Sequence, residues 1–154
     1  MLKKFIIFIF IYCSLSSIVF AYDRYIYLGE DVSNNEHYID TQTISYVSNN
    51  IIKFWIKTFI SDSERKRIAL RNMGTEGNNL RKKLWPRISY ILAMNEVNIS
   101  QNTYHTVESV YYSKKGAFLF SDPPLKSWEG WQNIKPDSII ESAIRLVQQI
   151  FLIC

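Results

Sequence analysis

The residues of this chain that could do chemistry are few: two histidines, two cysteines and scattered serines and carboxylates. A zinc or other transition-metal site needs nitrogen and sulfur ligands at short, repeated spacings. His37 and His105 lie far apart, and no His-x-x-His, His-Glu-x-x-His or Cys/His cluster occurs. No serine stands in a Gly-x-Ser-x-Gly turn. Gly74 and Gly77 flank Thr75-Glu76 without the lysine and hydroxyl that a phosphate-binding loop needs. Glu96 and Glu108 could face each other across neighbouring strands as a carboxylate pair, although a solvated polar face is their ordinary place. The chain is therefore read as a non-enzyme that needs no cofactor and no metal.

Charge and aromatic side chains offer more. Arg65, Lys66, Arg67, Arg71, Arg81, Lys82 and Lys83 crowd one polar stretch. Such a stretch could meet an acidic protein segment, a glycosaminoglycan or another polyanion. Its bland reading is a solvated loop. Lys53, Trp55 and Lys57 alternate with apolar residues in a second candidate surface, where an exposed tryptophan between two lysines could anchor a partner. Packing of Trp55 on a neighbouring strand is the competing reading.

The elements that must carry these residues follow from periodicity. In IIKFWIKTFI, Ile52, Phe54, Ile56, Thr58 and Ile60 share one face, and Lys53, Trp55 and Lys57 share the other. That alternation predicts a half-buried antiparallel strand. Tyr25–Leu28 and His37–Asp40 read as short strands, the second followed by a turn at Thr41–Thr43. Ser61–Lys83 reads as a long connection with helical turns around Glu64–Arg71. Arg87–Ile99 predicts a strand with Ile91, Ala93, Val97 and Ile99 on one face. Thr103–Ser113 and Gly116–Ser121 form a hairpin about Lys114-Lys115-Gly116, with glycine where φ is positive.

After the Asp122-Pro123-Pro124 breaker come Trp128 and Trp131, then Ser138 and Glu141 at capping-box spacing. Ile139, Ile140, Ala143, Ile144, Val147, Ile150 and Phe151 recur every three or four residues, which predicts a helix with one broad apolar face. An open sheet face is the natural cover for it. The fold class is thus α+β: an antiparallel β-sheet of about six strands with a C-terminal α-helix packed on one face. Ile99, Trp128, Trp131, Ile144 and Val147 are expected in the sheet–helix seam.

The first residues read as a secretory signal: Lys3-Lys4, an apolar run from Phe5 to Tyr12, and Val19 and Ala21 at the −3 and −1 positions. Residues 1–21 are assigned to the signal peptide and 22–154 to the domain. An uncleaved anchor and lipidation at Cys13 are the two rivals. Loss of Lys3 and Lys4 would lower the formal charge from +4 to +2. So mild a balance on an exported chain argues against nucleic acid as a partner. Cys154 would be left without an internal partner, free for an intermolecular disulfide.

Five pieces in order resemble the surface-adhesin E-like domain family of small exported bacterial proteins. They are YIDTQTI (Tyr38–Ile44), IIKFWIK (Ile51–Lys57), YILAMNEVN (Tyr90–Asn98), SVYYSKKG (Ser109–Gly116) and WQNIKPDSIIESAIRLV (Trp131–Val147). The resemblance implies an antiparallel sheet with a C-terminal helix on one face. It also implies an exported binding domain, periplasmic or at the cell surface, that recognises host matrix or serum proteins, and the basic stretch adds a polyanion as a candidate partner. The alternative is an accessory envelope protein docking through its C-terminal helix. Family members carry two cysteines that staple helix to sheet, where this chain has Ile99 and Gln148. Apolar packing at Ile99 is the expected replacement.

Overall fold

The computed structural model describes residues 23–72, 83–122 and 130–152. Its strands are β1 (Tyr25–Glu30), β2 (Glu36–Ser48), β3 (Ile51–Phe59), β4 (Ile88–Asn98), β5 (Thr103–Ser113), β6 (Phe118–Ser121) and β7 (Gln132–Asn133). Its helices are α1 (Asp62–Asn72) and α2 (Ile139–Leu152), with a 3-10 turn at Trp85–Arg87. The strands form one antiparallel seven-stranded sheet in the order β1-β2-β3-β4-β5-β6, with β7 also pairing β5. The fold is α+β, a sheet with a C-terminal helix.

Short turns join β1–β2, β2–β3, β4–β5 and β5–β6, while α1 lies in the connection from β3 to β4. Gly116 takes φ +75° at the β5–β6 hairpin, and its N–H reaches the Ser113 carbonyl at 2.9 Å. The turn expected at Thr41–Thr43 does not form: strand β2 runs on through it with a shift of register between Asp40 and Ser45. The reason is local: the Thr43 hydroxyl accepts the Trp55 N–H at 3.0 Å, in place of a ladder carbonyl, and donates to the Asp40 carbonyl at 2.7 Å. A side chain thus satisfies the backbone across the bulge.

Register decides the faces. Ile52, Phe54 and Ile56 pair with Val97, Asn95 and Ala93, so these residues share one face. On that face α2 brings Ile140, Ala143 and Val147 into one buried cluster with Ile39, Ile52, Phe54, Ile56, Val97 and Ile134. At the other end of the same face Ile60, Ile88 and Tyr111 form a second cluster under Trp85. Ser138 caps α2 by accepting the Glu141 N–H at 3.3 Å, and the Glu141 carboxylate accepts the Asp137 N–H at 2.7 Å. Among the described residues, no helix is long and apolar enough to cross a membrane.

Two seam expectations need correction. Ile99 lies beyond the end of β4 and is 39% exposed. The chain turns at Asn98, whose side-chain oxygen accepts the Ser100 hydroxyl at 2.8 Å and the Gln101 N–H at 3.2 Å. That turn breaks the alternation that would have pointed Ile99 inward, so Ile99 does not stand in for a crosslink. Val97 meets the helix cluster instead. Trp131 stacks on His105, with ring centroids 4.2 Å apart. His105 pairs with Glu96, which pairs with Lys53, so Trp131 covers the face opposite the helix. Ile134, three residues on, fills the seam. Val147 is fully buried there and Ile144 packs beside it, while Trp128 lies outside the described residues.

These positions predict opposite mutational outcomes. Phe54→Ala should cost about 3–5 kcal/mol, because it opens a cavity in a fully buried site. Ile99→Ala should change stability by no more than about 0.5 kcal/mol. Urea unfolding of the two variants measures both, and a large loss at Ile99 would restore it to the seam.

Candidate functional site

The face opposite α2 carries one aromatic ring from each of six strands. Tyr27, Tyr38, Phe59, Tyr90, Tyr112 and Phe118 form a row whose successive centroids stand 5.3, 5.7, 5.9, 4.9 and 6.3 Å apart. The register makes the row. Tyr27 pairs with Tyr38, Phe59 with Tyr90, Tyr90 with Tyr112, and Tyr112 with Phe118. Each such pair stabilises the sheet by about 0.5–1.5 kcal/mol beyond its burial. The ends of the row stay open, with Tyr27 51% and Phe118 61% exposed.

Lys57 lies inside this row. Its Nζ sits 4.5 Å from the Tyr90 centroid, 4.8 Å from Phe59 and 5.0 Å from Tyr25. Ring faces hold an ammonium by their quadrupoles without cancelling its charge. Among the described residues Lys57 makes no ion pair with a carboxylate. Burial holds the Tyr90 hydroxyl above its ordinary pKa, and the hydrogen bond to Glu36 does the same for Tyr38. These hydroxyls therefore remain neutral donors.

Beside the row is a hollow of about 260 Å³. Trp55, Leu92 and Val110 line it, with Tyr25 and Tyr112 among its aromatic walls. Its polar edge is the Arg24–Asp40 ion pair, in which Nε and Nη2 reach one carboxylate oxygen at 3.1 and 3.0 Å. The other carboxylate oxygen accepts the Gln42 N–H at 3.2 Å. The hydrogen bond to Asp40 raises the Arg24 pKa. Trp55 and Lys57 are thus brought together with residues from other strands, and Lys53 lies further along the same face.

The basic stretch is arranged differently. It begins with α1, capped where the Ser61 hydroxyl oxygen accepts the Glu64 N–H at 3.2 Å. Arg65 pairs with Asp62 and also donates to the Ile88 carbonyl at 3.3 Å. Arg67 Nε donates to Glu64 at 2.6 Å, which keeps the Glu64 carboxyl below its ordinary pKa. Two of its cations are thereby matched by acids three residues earlier. Lys66 and Lys83 are exposed. Arg71 is on α1, and Arg81, Lys82 and Cys154 lie outside the described residues. A second hollow of about 270 Å³ is lined by Asp62, Arg65, Lys66 and Pro86.

Two histidine constellations escape sequence reasoning. His37 Nε2 is 3.3 Å from an Asp31 carboxylate oxygen, and its Nδ1 is 2.9 Å from the Thr58 hydroxyl. With the ring proton on Nε2, Asp31 accepts it and the Thr58 hydroxyl donates to Nδ1. Asp31 also accepts the Ser33 and Asn35 N–H groups at 2.8 and 3.0 Å, so the chain of bonds ties the β1–β2 turn to β3. His105 Nε2 is 3.1 Å from Glu96 and is sealed under Trp131. Glu108 pairs with Met94 rather than with Glu96, so the two carboxylates do not face each other. Among the described residues, no group of three histidine, cysteine or acidic side chains could hold a metal ion.

The geometry defines a class: a single antiparallel sheet backed by a C-terminal helix, with an aromatic face turned away from the helix. No protein-family model matches the chain, and no curated protein matches it. Among solved structures, the chain is similar to that of Haemophilus influenzae protein E, with a TM-score of 0.50 and 17% identity over 82% of this chain and 85% of that one. The crystal structure of protein E from non-typeable Haemophilus influenzae aligns with a TM-score of 0.43 and 16% identity, over 80% of this chain and 75% of that one. The first of these likenesses shows that the chain has the protein E-like fold.

Burial pushes the His37 pKa below its ordinary value, and the bond to Asp31 opposes this only in part. Burial alone would raise Asp31, but hydrogen bonds from Asn35, Ser33 and His37 together lower it. As pH falls below about 6.5, the unfolded chain takes up the histidine proton before the folded one does. The stability contributed by neutral His37 is therefore complete above that pH and is lost as pH falls through the folded-state value. Thermal melts between about pH 7.5 and 5 should show a falling Tm. His37→Asn should flatten that fall and lower the Tm at the upper end. An unchanged slope would remove His37 from the account.

Proposed function

We propose that this chain is an exported, non-catalytic binding domain of the adhesin-like kind, periplasmic or at the cell surface, that engages a host protein or a polyanion through its open sheet face. The observation that carries this reading is the row of six rings with Lys57 among them. Aromatic rings and a cation held among them are what anchor partners at protein interfaces. A face stabilised within itself by ring pairs can stay partly open without a second layer over it. The likeness in fold to protein E supports the reading. The basic stretch is the weaker surface, since Arg65 and Arg67 already have acidic partners.

A second reading has one observation in its favour. Phe151, near the end of α2, packs edge-on against Tyr46 at 5.0 Å, yet both rings are largely exposed. An envelope partner docking on the end of the helix would cover this pair.

The test is retention of the protein on immobilised extracellular-matrix proteins, serum proteins and heparin. Tyr27→Ser with Phe118→Ser should weaken the strongest interaction by about tenfold or more. Lys66→Glu with Lys83→Glu should leave it nearly unchanged. The reverse pattern would move the binding surface to the basic stretch. Loss with Phe151→Ser alone would favour the helix-docking reading.

A further inference from the structure

We propose that the hollow on the open face is a site for an acidic sugar ring: a pyranose bearing a carboxylate or a sulfate, presented on a glycan. This deepens the reading of that face as the binding surface and rests on it.

Size comes first. A hollow of about 260 Å³ falls just below the usual range of about 300–1,000 Å³ for sites that enclose drug-sized ligands. It suits one ring-sized group. It is not the long apolar channel that an acyl chain needs, because Arg24 and Asp40 edge it.

The lining then selects the ring. Tyr25, Trp55 and Tyr112 supply aromatic surface, and Leu92 and Val110 supply aliphatic surface. The face of an aromatic ring is the negative end of its quadrupole. The C–H groups on one side of a pyranose carry partial positive charge and match it. The hydroxyls around the same ring need polar partners at the edge, which an aromatic or aliphatic ligand would leave unused at a cost.

Charge supplies the acid group. Lys57 Nζ lies 5.0 Å from the Tyr25 ring centroid, held by rings rather than by a carboxylate. Arg24 has Nε and Nη2 on Asp40, its Cζ lies 5.1 Å from the same ring, and its side chain is 56% exposed. Two cations therefore converge on Tyr25, and Asp40, the acid among the residues lining the hollow, is paired with one of them. Lys57 Nζ and the Arg24 N–H groups that do not reach Asp40 are left as the donors for a carboxylate or sulfate.

The rest of the face limits how much negative charge can follow. Register puts Glu36, Glu96 and Glu108 on this face with Lys53, Trp55 and Lys57. A nucleic-acid strand or a densely sulfated chain would need a continuous positive track. Here acids interrupt the cations, so a polyanion is engaged at a single acidic sugar rather than along a continuous track.

The experiment uses the purified protein on an array of neutral oligosaccharides and of oligosaccharides ending in uronate, sialate or sulfated sugars. The best acidic ligand is then titrated by tryptophan fluorescence and by chemical-shift mapping. Retention should favour acidic glycans over their neutral counterparts, with shifts centred on Trp55, Leu92 and Tyr112. Lys57→Gln should weaken binding at least about tenfold, and Lys66→Gln with Arg67→Gln should leave it unchanged. Trp55→Phe keeps an aromatic ring in the hollow, so it should bind with a diminished fluorescence response, and near-ultraviolet circular dichroism checks that each variant is folded. Equal retention of neutral glycans, no retention at all, or loss confined to the Lys66/Arg67 variant would overturn the proposal. If the array is blank while the Tyr27/Phe118 variant still loses its protein partner, the sugar assignment falls and the binding face stands. If neither interaction responds to variants on this face, the binding face falls as well.

Discussion

The burial of one face of the sheet under α2 is the constraint on which the rest of this molecule depends. Ala143 and Val147 of the helix share a buried cluster with Ile52, Phe54 and Ile56 of the strand. A ten-residue apolar alternation can bury only one of its faces, because side chains of a strand point alternately to opposite sides. Once α2 takes the face of Phe54, the other face receives Lys53, Trp55 and Lys57. A one-residue slip would exchange the two sets and put two lysines under the helix. The identity of the open face is therefore a consequence of where the helix lies.

An open sheet face has to be stable without a second layer. This one manages by pairing aromatic rings across strands, down to the near-parallel stack of Tyr90 on Tyr112 at 4.9 Å. Area buried between neighbouring rings substitutes in part for area buried under a helix. The same arrangement leaves ring surface and a lysine charge facing outward. Stability and binding chemistry on this face come from one set of residues.

The irregular places are held by polar bonds instead. At the β2 bulge Thr43 replaces a ladder carbonyl, and Arg24 reaches across to Asp40, whose side chain is nearly buried. At the opposite end of β2, Asp31, His37 and Thr58 link a turn to the neighbouring strand. Asn35 extends that link by accepting the Ser61 N–H at 2.9 Å where α1 begins. Buried polar groups are costly when unpaired, so such networks specify one geometry. They explain why β1 and the start of α1 stay attached to a sheet whose apolar core lies mainly under α2.

By itself the sequence determined whatever depends on near neighbours. The alternation of Ile52–Ile60, the glycine turn at Gly116, the Ser138–Glu141 cap and the periodicity of α2 are all local, and so is the placement of Lys53, Trp55 and Lys57 on one side of a strand. Only the tertiary structure decided what needs register between distant segments. The six-ring row draws one residue from each of six strands, and no spacing within a single strand announces it. His37 finds Asp31 across a turn and Thr58 across a strand pair, a partnership invisible to motif spacing. Ile99 and Trp131 mark the limit most clearly. Each adjoins a strand: a turn takes Ile99 out of the alternation of β4, and the pairing of β7 with β5 sets Trp131 on the face opposite the helix. Local physics sets which residues can form an element, but the pairing of elements sets which side chains meet.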